Sequence, residues 1–167
     1  DLIIEDPPYG INYYTNHRKN RINTSDGIKN DQKNNTKFLK ASIKENFRLL
    51  KNNSHLYMFT RWDKVGEHDK LLRDQGFNIK NHLIWDKGNT SMGDLKGAYG
   101  NEYEVIIFAQ KGRKELNCLE TNQKTTCRHP DILEFQRVSN GNSMLHQHQK
   151  PIELLEFLIK KSSNEND

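Results

Sequence analysis

The chain begins with the stretch DLIIEDPPYG, residues 1–10, in which a short apolar run leads directly into Asp-Pro-Pro-Tyr. Leu2 to Ile4 show the continuous apolar pattern of a buried strand. Pro7 biases the residue before it toward an extended backbone and has no N–H group of its own. The Asp6 carboxylate and the Pro7 carbonyl are therefore predicted to lie as two acceptors at the carboxyl end of a strand, where open α/β sheets bind their ligands.

The Asp-Pro-Pro-Tyr turn predicts a particular chemistry. Its two acceptors match the two hydrogens of an exocyclic amino group on a nucleic-acid base. When both hydrogens are accepted, the nitrogen lone pair becomes more localised and more nucleophilic. Tyr9 adds an aromatic face for a base that has left the duplex stack. The alternative interpretation is a plain Pro-Pro turn after an edge strand, with Asp6 as an ordinary turn residue.

A second motif, HQHQKP at residues 146–151, precedes a helical pattern near the end of the chain. Pro151 falls in the first turn of that helix, where its missing N–H costs nothing. The apolar residues that follow share one broad helix face, which comprises Ile152, Leu154, Leu155, Leu158 and Ile159.

With Asp-Pro-Pro-Tyr first and a His-x-x-Gln-Lys-Pro segment late, the chain resembles the beta-type DNA amino-methyltransferases. The resemblance implies transfer of a methyl group from S-adenosylmethionine to double-stranded DNA with a flipped target base, as in restriction-modification systems. An Asp before Pro-Pro-Tyr favours the 6-amino group of adenine, and the 4-amino group of cytosine is the alternative. The implied catalytic residues are Asp6, Pro7, Pro8 and Tyr9. The implied cofactor-binding residues are Asp6, His146, Gln149 and Lys150.

The resemblance also implies an α/β fold with a partial Rossmann-like methyltransferase sheet, helices on both faces and an antiparallel hairpin at one edge. We expect a single domain over 1–167, with a catalytic half (1–110), a candidate target-recognition segment (111–145) and the start of the cofactor-binding half (146–167). The Gly-rich cofactor turn of the family is not found in the sequence. We therefore expect a fragment that is inactive alone, and that either binds nucleic acid only or is completed by a complementary half or a homodimer.

Between the two motifs, helices are predicted over 36–51 and 64–75 and strands over 56–60, 77–85 and 103–109. The first helix carries its apolar residues at helical spacing, so they are predicted to be core: Leu39, Ile43, Phe47 and Leu50. Gly76 is predicted to end the second helix.

A long polar loop follows the first strand and extends to about residue 35. Loops of this length inside a compact domain are usually functional or disordered. Its basic and aromatic residues suit contacts with a flipped nucleotide and the neighbouring phosphates. The candidate nucleic-acid-binding residues are Tyr14, Arg18, Lys19 and Arg21, and a solvated, disordered loop is the alternative.

The composition is compatible with these interpretations. A net charge of +4 and a pI near 9.0 permit a polyanionic partner. No segment is apolar enough to span a membrane and no signal-peptide pattern is present, so a cytoplasmic location is expected. Cys118, Cys127 and His129 lack both a closely spaced cysteine pair and a fourth ligand. Reduced cysteines and no metal site are therefore predicted.

Overall fold

The computed structural model describes residues 1–10, 31, 35–90, 96–118, 128–138 and 149–165. No helix in this part of the chain combines the length and the apolar character that crossing a bilayer requires. The described elements are, in chain order, β1 (Leu2–Glu5), α1 (Thr36–Leu49), β2 (Ser54–Thr60), α2 (Val65–Gln75), β3 (Asn78–Asp86), β4 (Tyr103–Lys111), β5 (Ile132–Glu134) and α3 (Ile152–Ser162).

The strands form one mixed sheet in the order β1-β2-β4-β3-β5. β1 pairs in parallel with β2, and β5 pairs in parallel with β3. β4 lies between β2 and β3 and is antiparallel to both. As a result the carboxyl ends of β1, β2 and β3 and the start of β4 meet along one side of the sheet, near Glu5, Thr60, Asp86 and Tyr103, which we call the upper edge.

Helices cover both faces of this sheet, as predicted. β2 is buried along its whole length, and its side chains alternate between the two faces. On one face α1 and α2 contribute Leu39, Ile43 and Leu72, which pack with Leu56, Met58 and Ile107. On the other face α3 contributes Leu154 and Leu158, which pack with Tyr57, Phe59 and Ile106.

Most predicted elements are confirmed with small shifts at their ends. The antiparallel β3–β4 pair is the predicted hairpin, although β5 pairs with the outer side of β3, so that the hairpin lies one strand in from the edge. Gly76 ends α2 with a φ of +108°. β5 was not predicted, because three residues carry too little periodicity to indicate a strand.

The apolar face of α3 is wider than the stripe that the sheet covers. Leu154 and Leu158 are buried, whereas Ile152 is 70% exposed and Ile159 is 46% exposed. The prediction that all five apolar residues share one face holds for helical geometry, but burial also depends on how much of that face meets the sheet. Only the side of the face that carries Leu154, Leu158 and Leu155 contributes to the core.

Cys118 is disulfide-bonded, and none of the described cysteines is free. The prediction of reduced cysteines is wrong for this residue. It rested on the expected compartment and on metal-ligand spacing, whereas a disulfide requires only that two sulfur atoms come close.

Candidate active site

The Asp-Pro-Pro-Tyr turn leaves β1 at the upper edge of the sheet and is held from two sides. Gly10 adopts a φ of +70°, a conformation that glycine reaches without steric cost. Its N–H donates to Asp31 Oδ1 at 2.8 Å. The side-chain amide of Asn35, the residue before α1, donates to the Pro8 carbonyl. Asp31 and Asn35 both precede α1, and their two hydrogen bonds with the turn fix its path.

Asp6 lies at the accessible side of this turn. The Tyr9 hydroxyl donates to Asp6 Oδ1 at 2.7 Å, and the Lys150 ammonium is 3.1 Å from Asp6 Oδ2. The Asp6 side chain is still 36% exposed. Because a carboxylate offers about four lone-pair positions, Asp6 can accept further hydrogen bonds from a group that approaches from solvent.

Glu104 is a second carboxylate in the same cluster. Its Oε1 accepts from the Lys150 ammonium at 2.7 Å and also from the Tyr9 hydroxyl. In β4, Ile106 packs in the α3-side core, and alternation along the strand directs Glu104 to that same face. Its side chain is 14% exposed, so it lies deeper than Asp6.

Lys150 enters this cluster from the residues just before α3. Its ammonium lies 4.7 Å from the centre of the Phe59 ring and 5.7 Å from that of Trp85. Aromatic faces attract cations at such distances. The two rings and the two carboxylates together hold the ammonium at the upper edge, where its side chain is 13% exposed.

Burial and charge determine the protonation of the groups around the cluster. Burial raises the pKa of Tyr9, and the charges of Glu104 and Asp6 raise it further. Tyr9 is therefore a neutral hydrogen-bond donor. Burial lowers the pKa of Lys87, and the nearby Glu104 carboxylate opposes this effect. The upper edge thus combines two carboxylates, a neutral phenol and two lysines.

The structure brings three of the predicted site residues together, since Asp6, Tyr9 and Lys150 are in contact. Gln149 lies directly before Lys150 in the approach to α3. Pro7 and Pro8 lie between Asp6 and Tyr9 in the described turn. The remaining predicted site residues lie outside the described part of the chain: His146, Tyr14, Arg18, Lys19 and Arg21. Among the described residues, no group of three or more His, Cys, Asp or Glu side chains could hold a metal ion.

Sequence reasoning missed Glu104 and Asn35. Glu104 stands beside five apolar residues, 105–109, and a carboxylate in such a strand is a signal that could have been used. Asn35 directly precedes Thr36 and would have been recognised as a capping residue. Neither signal identifies the Asp-Pro-Pro-Tyr turn as the partner, because both contacts join distant parts of the chain.

Comparison with known proteins places these features in a family. A family model described as DNA methylase matches residues 1–167. The chain is 29% identical to "Putative methylase YubD" of Escherichia coli strain K12, over 99% of this chain and 63% of that protein. It is 27% identical to the type II methyltransferase M.HpaI of Haemophilus parainfluenzae, over 100% of this chain and 55% of that protein.

Solved structures show the same fold. PvuII DNA methyltransferase, described as cytosine-N4-specific, superposes with a TM-score of 0.72 at 12% identity, covering 99% of this chain and 64% of that one. The M1.HpyAVI complex with SAM superposes with a TM-score of 0.63 at 20% identity, covering 100% of this chain and 68% of that one. The chain spans 55% to 65% of the length of the curated relatives it matches.

Proposed function

The chain belongs to the DNA methylase family, and from that membership we propose that it carries the catalytic turn of a site-specific DNA adenine methyltransferase. In this proposal the methyl group is transferred from S-adenosylmethionine to the 6-amino group of adenine in double-stranded DNA. A cytoplasmic location belongs to the same proposal.

The observation that carries this proposal is the position of Asp6. Its carboxylate stands at the carboxyl end of β1, is in contact with Tyr9 and Lys150, and remains 36% exposed. An amino group that donates to it has its nitrogen lone pair drawn away from the ring. As the new N–C bond forms, positive charge develops on that nitrogen, and a fixed carboxylate beside it lowers the energy of the transition state. The nitrogen then loses one proton, which the same carboxylate can accept.

The donor set of the upper edge fits the reacting end of the cofactor. When bound, S-adenosylmethionine supplies an electrophilic methyl group on a sulfonium sulfur. Asp6 keeps an exposed carboxylate at this edge, and a negative charge close to a cation stabilises it. In this proposal the residues that hold the cofactor are those predicted from the sequence: Asp6, His146, Gln149 and Lys150.

The DNA contacts remain those predicted from the sequence. We propose that Tyr14, Arg18, Lys19 and Arg21 bind the flipped nucleotide and its phosphates, and that segment 111–145 contributes to target recognition. Basic side chains at phosphates position a protein on DNA, whereas contacts to base edges specify the sequence.

The proposal is tested by methyl transfer from labelled S-adenosylmethionine to unmethylated DNA, followed by hydrolysis to nucleosides. The experiment uses this chain and, beside it, a version that contains the Gly-rich turn of the family. We expect label in N6-methyladenine with the second version. Label in N4-methylcytosine would show that the target base is cytosine and not adenine. DNA binding without any transfer would favour an inactive nucleic-acid-binding fragment.

A substitution tests Asp6 itself. In the version that contains the Gly-rich turn, Asp6→Ala is expected to lower kcat by at least about 100-fold, because general-base and electrostatic assistance at the amino group is lost. Asp74→Ala is the matched control, since Asp74 is an exposed carboxylate on α2 that pairs with Lys70. Circular dichroism should show both variants folded, and transfer by Asp6→Ala at the parent rate would contradict the role of Asp6.

A further inference from the structure

Glu104 is less exposed than Asp6, at 14% against 36% of the side chain, and neither the sequence motifs nor the family match assigns it a role. It lies opposite Trp85 across the β3–β4 pair. It makes two contacts with groups that also contact Asp6, namely the Tyr9 hydroxyl and the Lys150 ammonium. Glu104 and Asp6 therefore compete for the same two donors.

The geometry favours Glu104 in this competition. The Lys150 ammonium is 2.7 Å from Glu104 Oε1 and 3.1 Å from Asp6 Oδ2. Charge-assisted hydrogen bonds between an ammonium and a carboxylate are typically about 2.7–2.9 Å long. The contact with Glu104 is therefore a full hydrogen bond, while the contact with Asp6 is longer.

This competition determines how many lone-pair positions of Asp6 can accept hydrogen bonds from a substrate. Tyr9 has one hydroxyl hydrogen, so at any moment it donates mainly to one of the two carboxylates. Glu104 accepts that hydrogen part of the time, and it makes the shorter of the two contacts with the ammonium. Asp6 keeps lone-pair positions and negative charge on the side that is exposed to solvent.

We infer that Glu104 is a positioning residue, which holds Lys150 and Tyr9 back from Asp6 so that Asp6 can accept the amino group of the target base. The inference rests on the proposed function for the meaning of Asp6. Without the Glu104 charge, the ammonium and the hydroxyl both move onto Asp6, neutralise its charge and occupy its acceptors. Lys150 is then inhibitory.

A double-mutant cycle of Glu104→Gln, Lys150→Met and the double variant tests this inference, with the version that contains the Gly-rich turn as the parent. The kcat is measured at saturating cofactor and DNA, so that weaker cofactor binding in Lys150→Met does not enter the comparison. Glu104→Gln is expected to lower kcat by about 10-fold or more and to leave the KM for DNA within about 3-fold. Adding Lys150→Met to Glu104→Gln should restore part of the lost kcat, because the misplaced ammonium is gone. A merely structural role of Glu104 predicts the reverse, with the double variant at or below Glu104→Gln.

Glu102→Gln is the matched control, because Glu102 is an exposed carboxylate two positions earlier in the chain, and its kcat should equal that of the parent. If the parent transfers no methyl group, the proposed function fails and the crystal structure of Glu104→Gln decides the inference. An ammonium of Lys150 closer than 3.1 Å to Asp6, with Tyr9 donating to Asp6 alone, supports it. An ammonium that stays on residue 104 overturns it.

Discussion

At the scale of single residues, the upper edge depends on buried polar pairs as well as on the carboxylate cluster. His68 in α2 is 1% exposed, and its Nδ1 is 2.9 Å from the hydroxyl of Thr60 at the end of β2. Burial lowers the pKa of His68 to about 4. Burial therefore favours the neutral form of His68 in the folded protein.

This pair predicts a pH dependence of stability. The unfolded chain protonates His68 near its ordinary pKa of 6.5, whereas the folded protein does so near 4. The unfolded state thus binds more protons between these values, and the free energy of unfolding falls as the pH is lowered from about 6.5 to 4. In His68→Gln this part of the loss, up to roughly 3 kcal/mol, should disappear.

Denaturant unfolding at a series of pH values checks this prediction. Thr60→Val is the control, because it removes the hydrogen-bond partner while keeping the buried histidine, and should keep the pH dependence. Parallel stability profiles for the parent and His68→Gln between pH 7 and 4 would contradict the assignment.

At the scale of elements, α2 ends where the chain must turn into β3. Gly76 has a φ of +108°, and its N–H bonds to the Arg73 and Leu72 carbonyls at the end of the helix. A Cβ at this position would lie 3.2 Å from Cζ of Phe47 in α1. Both the backbone conformation and the packing of α1 on α2 therefore favour glycine.

Gly76→Ala is expected to lower the free energy of unfolding by about 1–2 kcal/mol, since left-handed backbone is costly for residues with a Cβ. Gly66→Ala is the matched change in the same helix. A Cβ at Gly66 meets no atom within 4 Å, so alanine should raise stability by up to about 1 kcal/mol. Thermal or denaturant unfolding checks the pair, and equal effects of the two substitutions would disprove the special role of Gly76.

At the scale of the whole molecule, α3 runs along the strands from the upper edge of the sheet to the opposite side, where β2 begins. It starts beside Lys150 at the upper edge and ends at Ser162, whose hydroxyl is 2.7 Å from the Tyr57 hydroxyl and 2.8 Å from His55 Nδ1. Among the described helices, α3 alone contributes buried residues to the core on the sheet face that carries Tyr57 and Phe59. Docking of α3 therefore sets both the core of this face and the position of Lys150.

Leu158→Ala should destabilise the fold by about 2–5 kcal/mol, because Leu158 is 1% exposed and its removal leaves a cavity between α3 and the sheet. Ile159→Ala, at the next and 46% exposed position, should cost no more than about 0.5 kcal/mol. Unfolding by denaturant compares the two. A loss in Leu158→Ala as small as that in Ile159→Ala would mean that α3 does not pack on the sheet as described.

The amino-acid sequence alone determined the features that depend on neighbouring residues. The apolar run into Asp6 and Pro7 predicts β1 and its turn, because strand patterning and the proline ring act locally. Helical spacing likewise predicts α1 and α2, with Leu39 in the core. The two motifs were also sufficient to indicate the family, which the family match confirms.

Only the tertiary structure decided how the upper edge is assembled. Glu104 is 95 residues from Tyr9 and 46 from Lys150 along the chain. No local pattern encodes such contacts, since they depend on strand order, on which face each side chain takes and on where α3 docks. The sequence predicts Asp6 as the reacting carboxylate, whereas the contact between Lys150 and Glu104 follows from packing.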